Sequence, residues 1–456
     1  MSVYLIRFYV LFLLLASIVF LLIQQSCHQQ VTNALSPDAE WLGTSNNSSV
    51  ILSDPKLSVE IFATGLKQPT NMAFLDSGDV LVLEKQNGTI RKIVNGSVLS
   101  EPLLDVNVAT VDTRGMLGLA VTKNETRRVE YVFSYFTEAG FGLGDGEDKC
   151  RKAANCLDGG INQPVGNVLY RFDLSEDGKS LLNKKLLLNF SALPGATHNG
   201  GEMVVGPDNN LYVITGNAEN VSTVASNSED PNVDGKAGIL ALNHDGGPAF
   251  TNGILGKEAP LNKYYAYGIR NGFGLDFDPI SGRLWDTENG PWYGDEINLV
   301  EPGFNSGYKQ IMGFWKRISP DQIELIKDIE DLNLVDFNGK GKYSNPELSW
   351  NQTVALTAIK FFNSSKYGKE YQNDIFVGTI LPNGDLYHFD LNSKRTALAL
   401  AEPLEDKIVN NNGELRNIVF GKNFGVIADI AVGPDGYLYV VSLTKGNIYR
   451  IVPTNN

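Results

Sequence analysis

The sequence predicts an all-β chain in which one sheet-forming unit recurs, and three observations carry that expectation. A strand-like run followed by a second run led by glycine or a polar turn appears in "DVLVLEKQNGTIRKIV" from Asp79 and "YVFSYF" from Tyr131 with "NVLYRFDL" from Asn167. It returns in "NLYVITGN" from Asn210 with "GILALN" from Gly238, and in "RLWDTENG" from Arg283 with "DEINLVEPG" from Asp295. The last copies are "DIFVGTILPNGDLYHFDL" from Asp374 and "YLYVVSLTKGNIYRIV" from Tyr437. Alternating apolar positions between Gly, Asn and Asp turns mark antiparallel strands. Turn formers are abundant, with 46 glycines and 19 prolines, yet no collagen-like period is present. Six copies at roughly 50–90-residue spacing, each with material for four strands, predict a six-bladed β-propeller of four-stranded antiparallel blades.

The elements follow in order. Residues 1–28 carry Arg7 and an unbroken apolar run from Phe8 to Ile23. That run has the length of a signal peptide and is short for a full span, so it reads as a signal peptide or a membrane anchor of an exported chain. Residues 29–56 are polar, include "TSNNSS" and read as a linker; residues 57–454 hold the propeller. A Gly-rich insert from Glu138 to Gly166 contains Cys150 and Cys156, which in an exported protein most simply form one local disulfide. "SPDQIELIKDIEDL" offers Ser319 as N-cap, Pro320 at the first helical position and Gln322 completing a capping box, so a short amphipathic helix is expected there.

Charge excludes one class of partner. With 38 basic against 52 acidic residues the net charge is −14, and no basic or aromatic-basic stripe appears. Nucleic acid is therefore not an expected partner. Nine Asn-x-Ser/Thr sequons, among them Asn87, Asn95, Asn124, Asn189 and Asn351, agree with surface exposure, though chance alone would give roughly half that number.

Three polar clusters stand beside the repeat strands, where the mouth of a propeller would collect them: His198-Asn199 in "GATHNGG", Arg270-Asn271 in "YGIRNGFGLDFDP", and "DTENGPWYGDEIN" from Asp286 to Asn298. A histidine in a small-residue loop is approachable and moves its proton near neutral pH, while a fixed guanidinium can hold developing negative charge. At Gly290-Pro291 the turn can present backbone carbonyls, the oxygens that calcium prefers.

Five segments in order, "GLKQPTNMAFLDSGDVLVLEKQNGTIRKI", "RGMLGLAV", "HNGGEMVVGPDNNLYVITGN", "RNGFGLDFDPISGRLWDTENGPWYGDEINLVEPGFNSGY" and "IADIAVGPDGYLYVVSLTKGNIYRI", resemble the soluble quinoprotein glucose/sorbosone dehydrogenases, six-bladed propellers that use pyrroloquinoline quinone. The resemblance runs from about Leu57 to Pro453. It implies that His198 is the base for the sugar C1 hydroxyl and that Arg270 and Asn271 contact the quinone carbonyls. It further implies that Asn289, Trp350 and Thr353 face the cofactor and that the Gly290 and Pro291 carbonyls hold calcium. The substrate would be an aldose, with an external electron acceptor.

The departures are as informative. Family enzymes meet the quinone carboxylates with two arginines and a lysine; here Val426-Ile427-Ala428 and Leu381 occupy those places. Thr197 replaces the acid before the base, and Thr113 stands where Gln or Glu is common. Lys309 and Arg114 are candidate substitute cations. Two other readings stay open: a non-enzymatic propeller that binds a protein or glycan partner, as in the related hedgehog-interacting proteins, and a lactonase-type metal hydrolase using Glu84, Asn217 and Asn271.

Overall fold

The computed structural model describes residues 49–124, 129–148, 150, 164–230 and 232–454. The apolar run 8–23 and Cys156 lie outside them, as does most of the segment read as linker. Among the described residues no helix is long and apolar enough to cross a membrane.

Alternating patterns become strands because one side chain in two meets a neighbouring sheet. Among the described residues these strands form six sheets of four to six strands and a separate two-stranded ribbon. The innermost strands are Pro69–Phe74, Met116–Asn124, Met203–Val205, Gly272–Phe277, Leu356–Phe361 and Ile427–Val432. Each packs against the innermost strand of the next sheet, and the last meets the first, which closes a ring around a central channel. The fold is an all-β propeller. The ring is fastened by an early strand pairing with a late one: Leu57–Ala63 runs antiparallel to Asn447–Pro453, Ser58 opposite Val452. Apolar clusters fill the spaces between neighbouring sheets, one holding Trp285, Trp350, Leu356 and Tyr387.

Repetition extends to side-chain chemistry. In "GPDNNLY" the Tyr212 hydroxyl donates to Asp208 Oδ2 at 3.0 Å, and in "GPDGYLY" Tyr439 donates to Asp435 Oδ2 at 2.8 Å. The same turn thus starts the second strand of two different sheets.

Three expectations need correction. The sheets are not uniformly four-stranded or antiparallel: Tyr264–Tyr267 gains Phe304–Asn305 in parallel, and Leu348–Trp350 gains Ile408–Val409 in parallel. Within the stretch read as linker, Ile51–Leu52 is a strand paired with Gly421 and Lys422. The expected helix after Ser319 is a β-ribbon, Trp315–Ser319 against Gln322–Leu325, with Arg317 opposite Ile323. Ser319-Pro320-Asp321 makes its turn, with Ser319 Oγ bonded to Asp321 Oδ1 at 2.9 Å. Ser, Pro and Asp serve turns as well as helix starts, and β-branched Ile318 and Ile323 favour strand. Packing of Trp315 with Tyr293 and Met312 decides between them.

Candidate active site at the channel mouth

The innermost strands all begin at one end of the channel, so the loops before them converge there. His198 stands four residues before Glu202, in left-handed backbone (φ 60°). Its carbonyl accepts from Ala218 N–H at 2.9 Å, an approach possible because position 216 is glycine and has no Cβ to collide with it. The imidazole Nδ1 lies 2.9 Å from Asn217 Oδ1. That oxygen also accepts the Glu219 N–H at 2.9 Å, which fixes it as the acceptor end of the amide. Nδ1 must therefore donate, leaving the Nε2 lone pair to take a proton.

Asn217 also joins His198 to the guanidinium loop, since its N–H donates to Arg270 C=O at 3.0 Å. Arg270 is buried, and its Nη1 donates to the carbonyls of Asn289 (2.8 Å) and Gly290 (3.0 Å). Burial lowers its pKa, against the opposing influence of Tyr308, Asp295 and Tyr293. Asn289 N–H bonds Asn271 C=O at 2.9 Å, and Asn289 Nδ2 bonds Leu356 C=O at 2.9 Å. Among the described residues the side-chain oxygens Oδ1 of Asn271 and Asn289 are both buried without a partner. A buried amide oxygen in that state calls for a donor or a cation.

Asp295 ties this arc together. Its carboxylate accepts from the N–H groups of Gly290 (2.9 Å), Val354 (2.8 Å) and Ala355 (2.7 Å). Burial nevertheless pushes its pKa up to about 6. Gly290 is required in this loop because a Cβ there would overlap the Tyr293 carbonyl oxygen. Behind the arc lie Asp286, Glu288 and Glu296, all buried; burial and mutual repulsion raise Glu288 well above the carboxylate range.

The sequence-derived candidates divide clearly. His198, Arg270, Asn271, Asn289 and Gly290 are brought together, with Pro291 next in the same loop, and Thr353 N–H reaches Trp292 C=O at 3.4 Å. Trp350 is not at the mouth: its indole is buried in the apolar cluster, stacked on Tyr387 at 6.1 Å, because Leu348 and Trp350 share the inward face of their strand. Asn199 pins the loop instead of facing a substrate, donating to Thr113 Oγ1 (2.9 Å) and Ala196 C=O (2.8 Å). Arg114 is held by the carbonyls of Cys150, Ala192 and Gly195, and Lys309 is exposed. Glu84 is taken up by Lys67 N–H and Thr89.

Two groups escaped the sequence reading. Glu219 reaches Thr197 from another loop, accepting from Thr197 Oγ1 at 2.7 Å, and so puts a carboxylate beside the residue that precedes His198. Lys85 lines a cavity, partly open to solvent, that is bordered by Gly200 and Phe273, which lie two residues beyond His198 and Asn271 in the chain. Its Nζ donates to Asp112 C=O at 3.1 Å, and burial pulls its pKa down to about 7. The opposite wall is apolar: Ile380, Val426, Ile427, Ala428 and Leu443. Only convergence of strands from different sheets places these side by side; the one signal in the sequence is the polar pair that ends some second strands, as in Glu84-Lys85 and Glu288-Asn289.

The site thus joins a loop histidine, an adjoining loop with a buried guanidinium, and two buried amide oxygens at one end of a propeller channel. The sequence pattern of the glucose/sorbosone dehydrogenases matches residues 66–450, and the chain belongs to that family. It is 25% identical over 407 residues to aldose sugar dehydrogenase YliI of Escherichia coli, covering 88% of this chain and 94% of the relative. Over a shorter stretch, 173 residues, it is 33% identical to quinoprotein glucose dehydrogenase B of Acinetobacter calcoaceticus, 33% of this chain and 34% of that one. Among solved structures, the apo soluble aldose sugar dehydrogenase of Escherichia coli shares the fold with a TM-score of 0.62 at 21% identity, over 87% of this chain and all of that one. The form of aldose sugar dehydrogenase from Streptomyces coelicolor with pyrroloquinoline quinone bound gives 0.60 at 22% identity, over 88% and 99%.

Proposed function

We propose that the chain is an exported oxidoreductase that converts the C1 hydroxyl of an aldose to the lactone level, using pyrroloquinoline quinone and calcium and an external electron acceptor. The six sheets are read as six blades, residues 8–23 as signal or anchor, and Cys150–Cys156 as a disulfide. The observation that carries the reading is the orientation of His198: Asn217 Oδ1 receives Nδ1–H, so in the neutral imidazole it is Nε2 that holds the lone pair able to accept the proton of a sugar hydroxyl. Arg270, whose backbone carbonyl accepts the Asn217 N–H, belongs to the neighbouring loop and offers fixed positive charge to an oxygen that gains electron density.

The donor set fits half of the cofactor. Asn271 and Asn289 Oδ1, with Arg270, suit the polar end of the quinone and its calcium, beside the Gly290 and Pro291 carbonyls. When bound, the quinone supplies the two-electron acceptor for the C1 hydride. Its carboxylates would meet the apolar wall of Ile380, Val426 and Ala428, and Lys85 is the cation among the described residues lining the cavity. An anion there would restore the charge that burial makes costly for Lys85.

That apolar wall also favours a second reading, a propeller that binds a protein or glycan and has given up redox chemistry. One experiment separates the two. The purified chain is titrated with pyrroloquinoline quinone and calcium by fluorescence quenching, then dye reduction is followed over an aldose panel, with His198→Asn as control. Asparagine tolerates positive φ, so the loop is kept. Saturable binding with turnover that the control lowers by about 100-fold or more supports the dehydrogenase. No binding at millimolar quinone removes it.

A further inference from the structure

We propose a second metal site, distinct from the channel mouth: Asp374, His388 and Asp390 bind a divalent first-row transition ion such as Zn²⁺ or Co²⁺. Strands Ile375–Thr379 and Leu386–Phe389 are antiparallel neighbours, Ile375 opposite Phe389 and Phe376 opposite His388. Continuing that register puts Asp374 directly opposite Asp390, and His388, two residues before Asp390, on the same face. The strand begun by Ile375 reaches the mouth only at its other end, at Thr379–Ile380, so the two sites are separated by its length.

The ligand atoms converge. His388 Nε2 lies 3.1 Å from Asp374 Oδ2 and 3.7 Å from Asp390 Oδ1, and one donor atom from each group falls within 4.8 Å of the others. Like charges at directly opposite positions destabilise a sheet. Among the described residues no Lys or Arg forms an ion pair with either carboxylate. Further acid surrounds the cluster: Tyr371, edge-on to the His388 ring at 5.0 Å, donates its hydroxyl to Asp54 at 2.9 Å and feels Glu370 and Asp390. The imidazole is also held by Phe376 at 5.0 Å and by Phe420, so its nitrogen is aimed before any ion arrives. Preorganised ligands are what metal sites require.

The donor set selects the ion. One imidazole nitrogen with two carboxylate oxygens suits zinc-like ions, whereas calcium takes six to eight oxygens. Asp390 is exposed and the other two are half-buried, so an ion enters from solvent and keeps water in its remaining positions.

The test uses the full chain titrated with Co²⁺, read by visible d–d absorption and calorimetry, with Zn²⁺ and Ca²⁺ as competitors and His388→Gln and Asp390→Asn as variants. One equivalent of Co²⁺ should develop the band, Zn²⁺ should displace it and equimolar Ca²⁺ should not. Each variant should weaken binding by at least the roughly 10–100-fold that loss of a mere supporting group costs. Absence of the band, displacement by equimolar Ca²⁺, or a band that both variants retain, overturns the assignment. If His388→Gln does not fold, the exposed Asp390→Asn decides alone.

Discussion

Asp295→Asn is the perturbation that most directly tests how the mouth is held. Asp295 Oδ1 accepts one backbone N–H, from Gly290, and Oδ2 accepts two, from Val354 and Ala355. Asparagine can keep its oxygen on the side with two donors, which turns its NH₂ toward the Gly290 N–H. One charge-assisted bond, about 1.5–3 kcal/mol, is lost at every pH where the carboxyl is ionised. A second effect depends on pH and has the opposite sign. The folded pKa, about 6, lies above the ordinary 3.8. The protonated carboxyl therefore stabilises the fold fully below pH 4, and that contribution disappears as pH rises through 6. A rise from 3.8 to about 6 corresponds to roughly 3 kcal/mol. The stability of the variant minus that of the wild type should thus move by roughly 3 kcal/mol in the variant's favour between pH 4 and pH 7. Glu296 is pushed up to about 7 chiefly by burial, and the Asp295 charge adds to that rise; its loss in the variant moves the difference in the same direction. Urea unfolding at four pH values, with matching m-values, measures it. A difference that is flat, or that drifts the other way, would mean the three N–H groups outweigh burial and hold Asp295 ionised well below pH 6.

Two further outcomes are expected. Asn217→Ala removes the acceptor that sets the His198 tautomer, so kcat should fall by ~100-fold and the acid limb of its pH profile should shift, while quinone affinity stays unchanged. Equal losses in affinity and kcat would instead indicate a collapsed loop. Ala428→Arg puts a cation on the apolar wall, where one charge-assisted bond to a quinone carboxylate should tighten binding roughly ten- to a hundredfold by fluorescence titration. Unchanged or weaker binding would place the carboxylates elsewhere in the cavity.

The sequence by itself determined the strands and their repetition, because alternation of apolar residues and Gly-Pro-Asp turns are local signals that no distant contact has to complete. It also determined which loops carry His198, Arg270, Asn289 and Gly290, since each follows or precedes a strand whose pattern is plain. Tertiary structure decided the rest. "SPDQIELIKDIEDL" satisfies helix and ribbon equally well as a local string, and the packing of Trp315 against Tyr293 and Met312 selects the ribbon. Trp350 sits beside site residues in sequence, yet strand alternation within its own sheet sends the indole into the core. Lys85, Glu219 and the Asp295 carboxylate act across loops from different sheets or turns, and Asp374 meets Asp390 only through strand register. Such meetings depend on the closure of a ring between residues far apart in the chain, and a pattern confined to neighbouring residues carries no record of them.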